Sequence, residues 1–595
     1  MITGTSFSFT YTEALHMYEK GLLTVVEMGS SGETAIKTIG SFVKGLISKS
    51  VYCAETLIGA RSNDKMSNNS GIPIVLTASM IEMSDFKLDP FTAFSGGFPL
   101  VLPKYVLRKK LYPNFHINED GTAELAPYGL RKVETLLTEE FGEDNVVTVH
   151  PHKLHEFIGP KTKVVGISTM DPLGLGFVSR TYTSILGLNG KPATHAEFQD
   201  LLSNSALRKF KPRIIVGGSG AWQIPWANMQ DELCIDTVLL GQAENSVIKI
   251  FRKALDGEEL EKVIIARIPE KKEVPTIKKP SLYGTVEITR GCGRGCAFCS
   301  PTMRQRYSFP LEHILKEVRL NAENGTRVIL LQTDDIFLYK TKQNFIPNRE
   351  AIIKLIRDID KVEGVELIQI AHASLAPVVY DKKIVEEIAP ILVEKSRWLC
   401  RGKHCASIEV GIETGSVQLM RKYMQRKMLP YEPRQWQDIV VQAIEILNDN
   451  DIYPLATLVL GLPGEQKVDI LATIELLDKL KNAKMFYVPL LFTSEEESIL
   501  KGRRHKNLKD LDESQWDIIS RCWKSNLDLW MPELNKAALI GSLLAFPYFR
   551  WKHGKKIFRP IMEFSGIDTL FVGRKLGIKC HLQQCVHNFR KEGNR

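Results

Sequence analysis

Gly284–Ser300 reads GTVEITRGCGRGCAFCS: a β-rich run, then a glycine-rich loop with three cysteines inside eight residues, Cys292, Cys296 and Cys299. Three thiolates this close can serve one metal centre only if the backbone curls tightly. Gly291, Gly293 and Gly295 permit the curl, because glycine reaches positive φ without penalty. A structural zinc site asks for four ligands, yet Cys234 and Cys400 are distant and the next histidine, His313, lies 14 residues beyond Cys299. A four-iron cluster usually takes four thiolates, so three leave one iron with an open position, as a catalytic metal requires. A zinc knuckle completed by a distant ligand is the alternative.

Around this loop the chain alternates strands with helices. Strand candidates follow at 327–333 (RVILLQT), 366–371 (ELIQIA), 406–411 (ASIEVG), 456–461 (ATLVLG) and 485–491 (MFYVPLL). With 284–289 they make six βα units, which suits a partial or full barrel. Upstream, short runs at 74–79, 146–149, 163–169, 213–218 and 236–241 alternate with helices expected over Tyr128–Phe141 and Ala196–Lys209. Such alternation predicts an open parallel sheet with its ligand at the carboxyl ends of the strands. Those ends are rich in small residues: Ser168-Thr169, Asp171-Pro172-Leu173-Gly174 and Gly217-Gly218-Ser219. PEKKEVPTIKKP, at 269–280, reads as the boundary between the two regions.

Cys-x3-Cys-x2-Cys with an aromatic before the last cysteine, after a first barrel strand, resembles the radical S-adenosylmethionine superfamily. Thr333-Asp334-Asp335 resembles its acidic turn for the methionine amino group. IEVGIETGS, with Glu409 and Glu413, resembles its fourth-strand region, and LVLGLPGE, with Gly461 and Pro463, the strand end that meets the adenine. The resemblance implies a [4Fe–4S] cluster on the three cysteines and S-adenosylmethionine on its free iron. A one-electron reductant would then release a 5′-deoxyadenosyl radical. Phe298 would line the adenine or shield the cluster.

Residues 73–250 are similar to the cobalamin-binding domain that precedes the radical domain in one large subgroup. The similarity rests on VVGIST, RIIVGGSGAW and DTVLLGQAEN. It implies a corrin groove touched by Ser168, Thr169, Asp171, Pro172, Leu173, Gly174, Gly217, Gly218, Ser219, Gln242 and Glu244. DPLGLG, at 171–176, lacks the histidine of the Asp-x-His-x-x-Gly pattern, so no lower cobalt ligand is expected through that motif. A degenerate nucleotide-binding domain is the alternative. His150, His152 and His155 read as a solvated strand end rather than a metal site. Trp222 and Trp226 suit core packing or the nucleotide tail, and Arg131 and Lys132 a helix face or a ligand contact.

Composition bounds the rest. With 44% hydrophobic and 25% charged residues in 595, collagen-like and disordered classes are excluded. Ten cysteines are too few for a disulfide scaffold. The N-terminus lacks a signal-peptide pattern, and the apolar run 537–549 is too short to span a bilayer. A cytoplasmic monomer without membrane contact is expected. The net charge of +9 lies almost wholly in residues 550–595, which carry 11 Lys/Arg and 3 Asp/Glu, so a nucleic-acid partner is not. Cys580 and Cys585 there read as incidental.

The expected architecture is α/β: an N-terminal extension (1–72), a Rossmann-like cobalamin domain (73–268), a radical partial (β/α)6 barrel (280–495) and a helical basic C-terminal region (496–595). The expected activity is a cobalamin-dependent radical C-methyltransferase, with methylcobalamin delivering methyl to an unactivated carbon of a protein or a small molecule. Segment order, DPLGLG and APYGLRK are similar to archaeal enzymes that methylate side chains of methyl-coenzyme M reductase, notably a glutamine. A cobalamin-radical cyclase or ring-rearranging enzyme and a cobalamin-binding sensor are the alternatives. A tRNA methylthiotransferase is disfavoured, because only Cys53 and Cys234 precede Cys292.

Overall fold

The computed structural model describes residues 70–86, 96–97, 104, 108, 112, 116–186, 191–532 and 546–564. The elements below belong to one compact unit, residues 69–101 and 108–595. The N-terminal extension to residue 69, Cys580, Cys585 and the tail beyond 564 lie outside the described residues, as does most of 87–99.

Six parallel strands form the first sheet: β1 Ile74–Ala78, β2 Val146–Thr148, β3 Val164–Ser168, β4 Arg213–Gly217, β5 Thr237–Leu240 and β6 Val263–Ile265. Their spatial order is β2-β1-β3-β4-β5-β6. The run IVLTA of β1 is buried at all five positions, as a parallel strand covered on both faces must be. One cover comes from α1 (Tyr128–Phe141) and α3 (Val247–Leu255), through Leu130, Leu137, Ile250 and Phe251. The other contains α2 (Ala193–Leu202), with Phe198 and Leu201, together with Leu207 and Ile224. Gly166 lets α3 close on β3, since a Cβ there would stand 2.7 Å from Leu76 and 2.9 Å from Phe251. The chain leaves β1 toward β2 on one side and β3 on the other, which puts a topological switch point at the carboxyl ends of β1 and β3.

The second region contributes β7 Val286–Glu287, β8 Val328–Gln332, β9 Leu367–Ile370, β10 His372–Ala373, β11 Glu409–Glu413, β12 Leu455–Leu460 and β13 Phe486–Leu491. They pair in parallel as β9-β8-β7 and β10-β11-β12-β13. Only Ala371 separates the two sheets. Its N–H donates to the Leu331 carbonyl and its own carbonyl accepts from the Glu409 N–H, 3.1 Å each. The strand positions therefore run as one parallel arc.

One helix expectation is corrected, one strand is added, and the expected boundary is a packed one. The helix over Ala196–Lys209 is two, Ala193–Leu202 and Ser205–Phe210, because Asn204 caps the second by accepting from the Ala206 N–H at 2.9 Å. Strand β6 was not anticipated: two half-buried residues and an exposed Ile265 give too short a pattern. The connector 269–280 is a packed seam. Lys132 donates to the Pro275 carbonyl at 2.8 Å, Arg131 to the Pro280 carbonyl at 2.9 Å, and the Ile277 N–H to Glu317 at 3.0 Å. Glu317 lies in α4, Leu311–Glu323.

The last strand of an open arc exposes unpaired backbone groups, a route to wrong pairing. Side chains close β13. Asn526, fully buried in the C-terminal helix α5 (Glu513–Trp530), accepts from the Tyr487 N–H at 2.7 Å and donates to its carbonyl at 2.8 Å. Thr181 accepts from the Leu491 N–H at 2.9 Å. Asn526→Ala strands two buried backbone groups, so equilibrium denaturation of the variant is expected to show a loss of about 2–4 kcal/mol.

Candidate functional site

The cysteine loop is pinched at its base, where Thr289–Arg290 pairs antiparallel with Tyr307–Ser308. Inside, Gly291, Gly293 and Gly295 take φ of 72°, 72° and 79°, the curl expected from the sequence. A Cβ on Gly291 would stand 2.7 Å from the Arg304 carbonyl. The Cys292 N–H donates to the Pro301 carbonyl at 3.2 Å, the Ala297 N–H to the Tyr423 carbonyl at 2.9 Å and the Cys299 N–H to the Cys296 carbonyl at 3.1 Å. All three cysteines are free thiols. Burial pushes the Cys292 thiol up to about 12, and raises Cys296 and Cys299 as well, with Cys299 also opposed by charge on the other two.

Among the described residues no three His, Cys, Asp or Glu side chains converge on a single ion site. A four-iron cluster spreads its thiolates over different irons, and three adjacent thiols on a fixed glycine loop fit that demand.

Two buried ion pairs flank the thiols. Arg294 donates to Asp335 at 3.0 Å, and Lys427 to Glu413 at 2.8 Å. Asp335 is fully buried and also accepts from the Phe337 and Ser374 N–H groups. It positions the cysteine loop through Arg294 and has no oxygen left for a methionine amine. Glu413, at φ 63°, is likewise taken by Lys427. Asp334 is the other carboxylate of the turn; burial raises it, while Arg304, His372 and a hydrogen bond from the Gly291 backbone oppose the rise. Thr333 shares a 2.5 Å hydroxyl contact with Thr289, and its carbonyl bonds His372 at 3.0 Å. Burial alone would lower the His372 imidazolium, but Glu409, 3.5 Å away, outweighs it and holds the pKa at about 9. Gly461 sits at φ 82° with its N–H on Glu465, and the Pro463 carbonyl accepts from the Tyr423 hydroxyl. Phe298 is buried in the core beneath the loop.

A cavity of about 730 Å³ opens at the carboxyl edge of the first sheet, within the range of small-molecule sites. Ser168, Thr169, Gly217, Gly218, Ser219, Gln242 and Glu244 line it, and so do Glu287, Arg290, Arg304 and Gln332 of the second region. At Gly217 the nearest atom to an added Cβ is 3.8 Å away, so ligand atoms can approach bare backbone there.

Asp171, Pro172, Leu173 and Gly174 do not line the cavity, contrary to expectation. Asp171 is consumed locally, accepting from Gly176 N–H at 3.0 Å, Gln223 at 2.7 Å and the Ser179 hydroxyl. Gly174 packs on Pro192. Trp222 and Trp226 lie outside the cavity, edge to face at 6.4 Å. His150 is buried rather than solvated, and burial lowers its pKa to about 3. Arg131 is buried and serves the seam, whereas Lys132 serves it and lines the cavity too.

Sequence reading marks the acidic, aromatic stretch 78–99 but does not single out Glu82 within it. Glu82 faces the cavity at the switch point and accepts from the Met170 N–H at 2.9 Å and the Thr169 hydroxyl at 3.2 Å. Sequence reading missed Arg290, which donates to Glu287 at 2.7 Å and to Gln242 at 2.8 Å, and pairs with Glu244 at 2.7 Å. No motif marks either residue; an acidic group just past a central strand end was the one available signal.

Residues 286–477 match the Radical SAM superfamily. A tRNA-2-methylthio-N(6)-dimethylallyladenosine synthase of Wolinella succinogenes is 28% identical over 33% of this chain and 42% of its own. The ribosomal protein uS12 methylthiotransferase RimO of Clostridium botulinum is 27% identical over 40% and 49%. The chain thus spans about half the length of these relatives. Among solved structures, the radical S-adenosylmethionine methyltransferase TsrM of Kitasatospora setae, with tryptophan and an S-adenosylmethionine analogue bound, covers 72% of this chain and 75% of its own. Its identity is 14% and its TM-score 0.48. No helix among the described residues is long and apolar enough to cross a membrane.

Burial pushes the Glu82 carboxyl up to about 7 from 4.5. The folded protein therefore keeps a proton that the unfolded chain has already released, and stability falls as pH rises through that window. Glu82→Gln is expected to raise Tm at pH 8 and leave it nearly unchanged at pH 4, read by thermal denaturation across pH.

Proposed function

We propose that the chain is a cobalamin-dependent radical S-adenosylmethionine methyltransferase acting on an unactivated carbon. One observation carries the reading: Arg290, the residue before the cysteine loop, crosses to Gln242 and Glu244 and lines the cavity at the first sheet. Loop and cavity are therefore neighbours, as they must be if a radical made at one is to meet a methyl group held at the other. When bound, the cluster with S-adenosylmethionine supplies the radical, and cobalamin supplies the methyl group.

Within this reading, Cys292, Cys296 and Cys299 hold the cluster, with Arg294 and Lys427 as buried cations beside them. Asp334 takes the methionine ammonium, and backbone at Gly461 and Pro463 meets the adenine. Ser168, Thr169, Gly217, Gly218 and Ser219 bring backbone and small side chains against the corrin. Gln242 and Glu244 keep Arg290 in place at the cavity wall. Residues 73–268 form the cobalamin-binding domain, 280–495 the radical domain and 496–595 the cap. The acceptor is a protein side chain, and the glutamine of methyl-coenzyme M reductase is the first to try.

The partial likeness to methylthiotransferases favours a second reading, transfer of a methylthio group. The placement of cysteines weighs against it: that chemistry in the resembling family uses three further N-terminal cysteines, and Cys234, one of the two before Cys292, is exposed.

The test is anaerobic reconstitution with iron, sulfide and cobalamin, then turnover with methyl-deuterated S-adenosylmethionine, a reductant and acceptor protein. Mass spectrometry is expected to find 5′-deoxyadenosine, S-adenosylhomocysteine and a deuterated methyl on a carbon, all abolished in Cys296→Ala. Deoxyadenosine without S-adenosylhomocysteine would point to rearrangement instead, and a sulfur-bearing product to methylthio transfer.

A further inference from the structure

Three segments meet around one aromatic ring beside the cysteine loop. Arg294, Arg306 and Arg426 each place a guanidinium over Phe345, at 4.7, 4.9 and 4.9 Å from its centroid. Phe345 is buried, and it and Asn344 both hold left-handed backbone, φ 60° and 56°. The ring is thus kept under the arginines against the ordinary backbone preference of both residues.

The segments 301–309, 339–346 and 420–428 contain eight Lys/Arg and no Asp/Glu. Arg304 and Lys427 are neutralised by Glu497 and Glu413. The other six, Arg306, Lys340, Lys342, Arg421, Lys422 and Arg426, are exposed and make no ion pair among the described residues. Elsewhere exposed lysines and arginines commonly do, as Lys354 with Asp358 and Arg357 with Glu387. In a chain whose sequence charge otherwise gathers at the C-terminus, this is a separate basic surface, invisible in sequence because three distant segments build it.

The surface also adjoins an open stretch of the cysteine loop. The backbone between Cys292 and Cys296 carries two glycines. An added Cβ on Gly293 would meet nothing within 4 Å, and one on the exposed Gly295 would meet only the Arg426 Cδ at 4.0 Å.

We propose that Arg306 and Arg426, with the lysines around them, form the docking surface for an acidic one-electron carrier protein that reduces the centre held by the three cysteines. The proposal rests on the cluster reading of those cysteines. The carrier gives up one electron to the centre and is itself oxidised by one. Unpaired cations steer an acidic partner over several ångströms, and the glycine covering keeps its redox group close to the thiols. An acidic carrier is favoured over nucleic acid because the surface rims the point where an electron must enter, on the cysteine loop itself.

The test uses the full chain reconstituted with iron and sulfide, and flavodoxin as the acidic probe. Reduction is followed by the bleaching of cluster absorbance, first by reduced flavodoxin and then by reduced methyl viologen, a small cation. Complex formation with oxidised flavodoxin is followed separately by flavin fluorescence. The Arg306→Glu/Arg426→Glu variant is expected to weaken the complex and slow reduction by flavodoxin about tenfold or more, with the viologen rate not decreased. The wild-type flavodoxin rate should fall as salt rises, and Arg306→Lys/Arg426→Lys should keep it. Equal flavodoxin rates in wild type and charge-reversal variant would overturn the proposal. So would tRNA binding lost in that variant while flavodoxin reduction is intact. A wild-type chain that assembles no cluster would instead overturn the functional reading on which the proposal stands.

Discussion

Arg290 is the hinge of the whole arrangement. Its guanidinium is nearly buried, grips both oxygens of Glu287 at 2.7 Å, and reaches Gln242 at 2.8 Å and Glu244 at 2.7 Å. Burial disfavours its charge, but the two carboxylates more than restore it. A planar fork with several fixed donors can satisfy such partners at once, where a lysine presents a single point charge. One side chain thereby fixes the end of β7, the loop after β5 and the take-off of the cysteine loop at Gly291. The carboxyl ends of the two parallel sheets face one cavity because this contact holds them there.

The ion pairs around the thiols follow a related logic. A buried pair returns little net stability, since desolvating both partners offsets their attraction, but losing one partner is costly. Arg294 with Asp335 and Lys427 with Glu413 are better understood as geometric fixtures. Each ties a cation beside the cysteine loop to the end of an arc strand. The acidic residues at 335 and 413 thus have occupants already.

Much of this was legible in the sequence, and the exceptions have physical causes. Fully buried parallel strands read as apolar runs, so eleven strands were found within a few residues, and glycines at positive φ explained the cysteine loop. Adjacent carboxylates such as Asp334 and Asp335 cannot be told apart in sequence, because their roles depend on Arg294, which approaches through space. The loop Asp171–Gly174 had the small residues of a ligand loop, but Asp171 spends its acceptors on Gly176, Ser179 and Gln223. Glu82, Arg306 and Arg426 belong to no motif; only the fold brings them to their neighbours. The tail beyond 564 is outside what the structure describes.

If three thiols and a neighbouring cavity serve two different cofactors in one chain, both must load on the same molecule. Elemental analysis of the full chain, prepared anaerobically with iron, sulfide and cobalamin and then desalted, tests it most directly. The account predicts about four irons and about one cobalt per chain, with Cys292→Ala losing the iron and keeping the cobalt. Zinc at about one per chain in place of iron, or no retained cobalt, would contradict it.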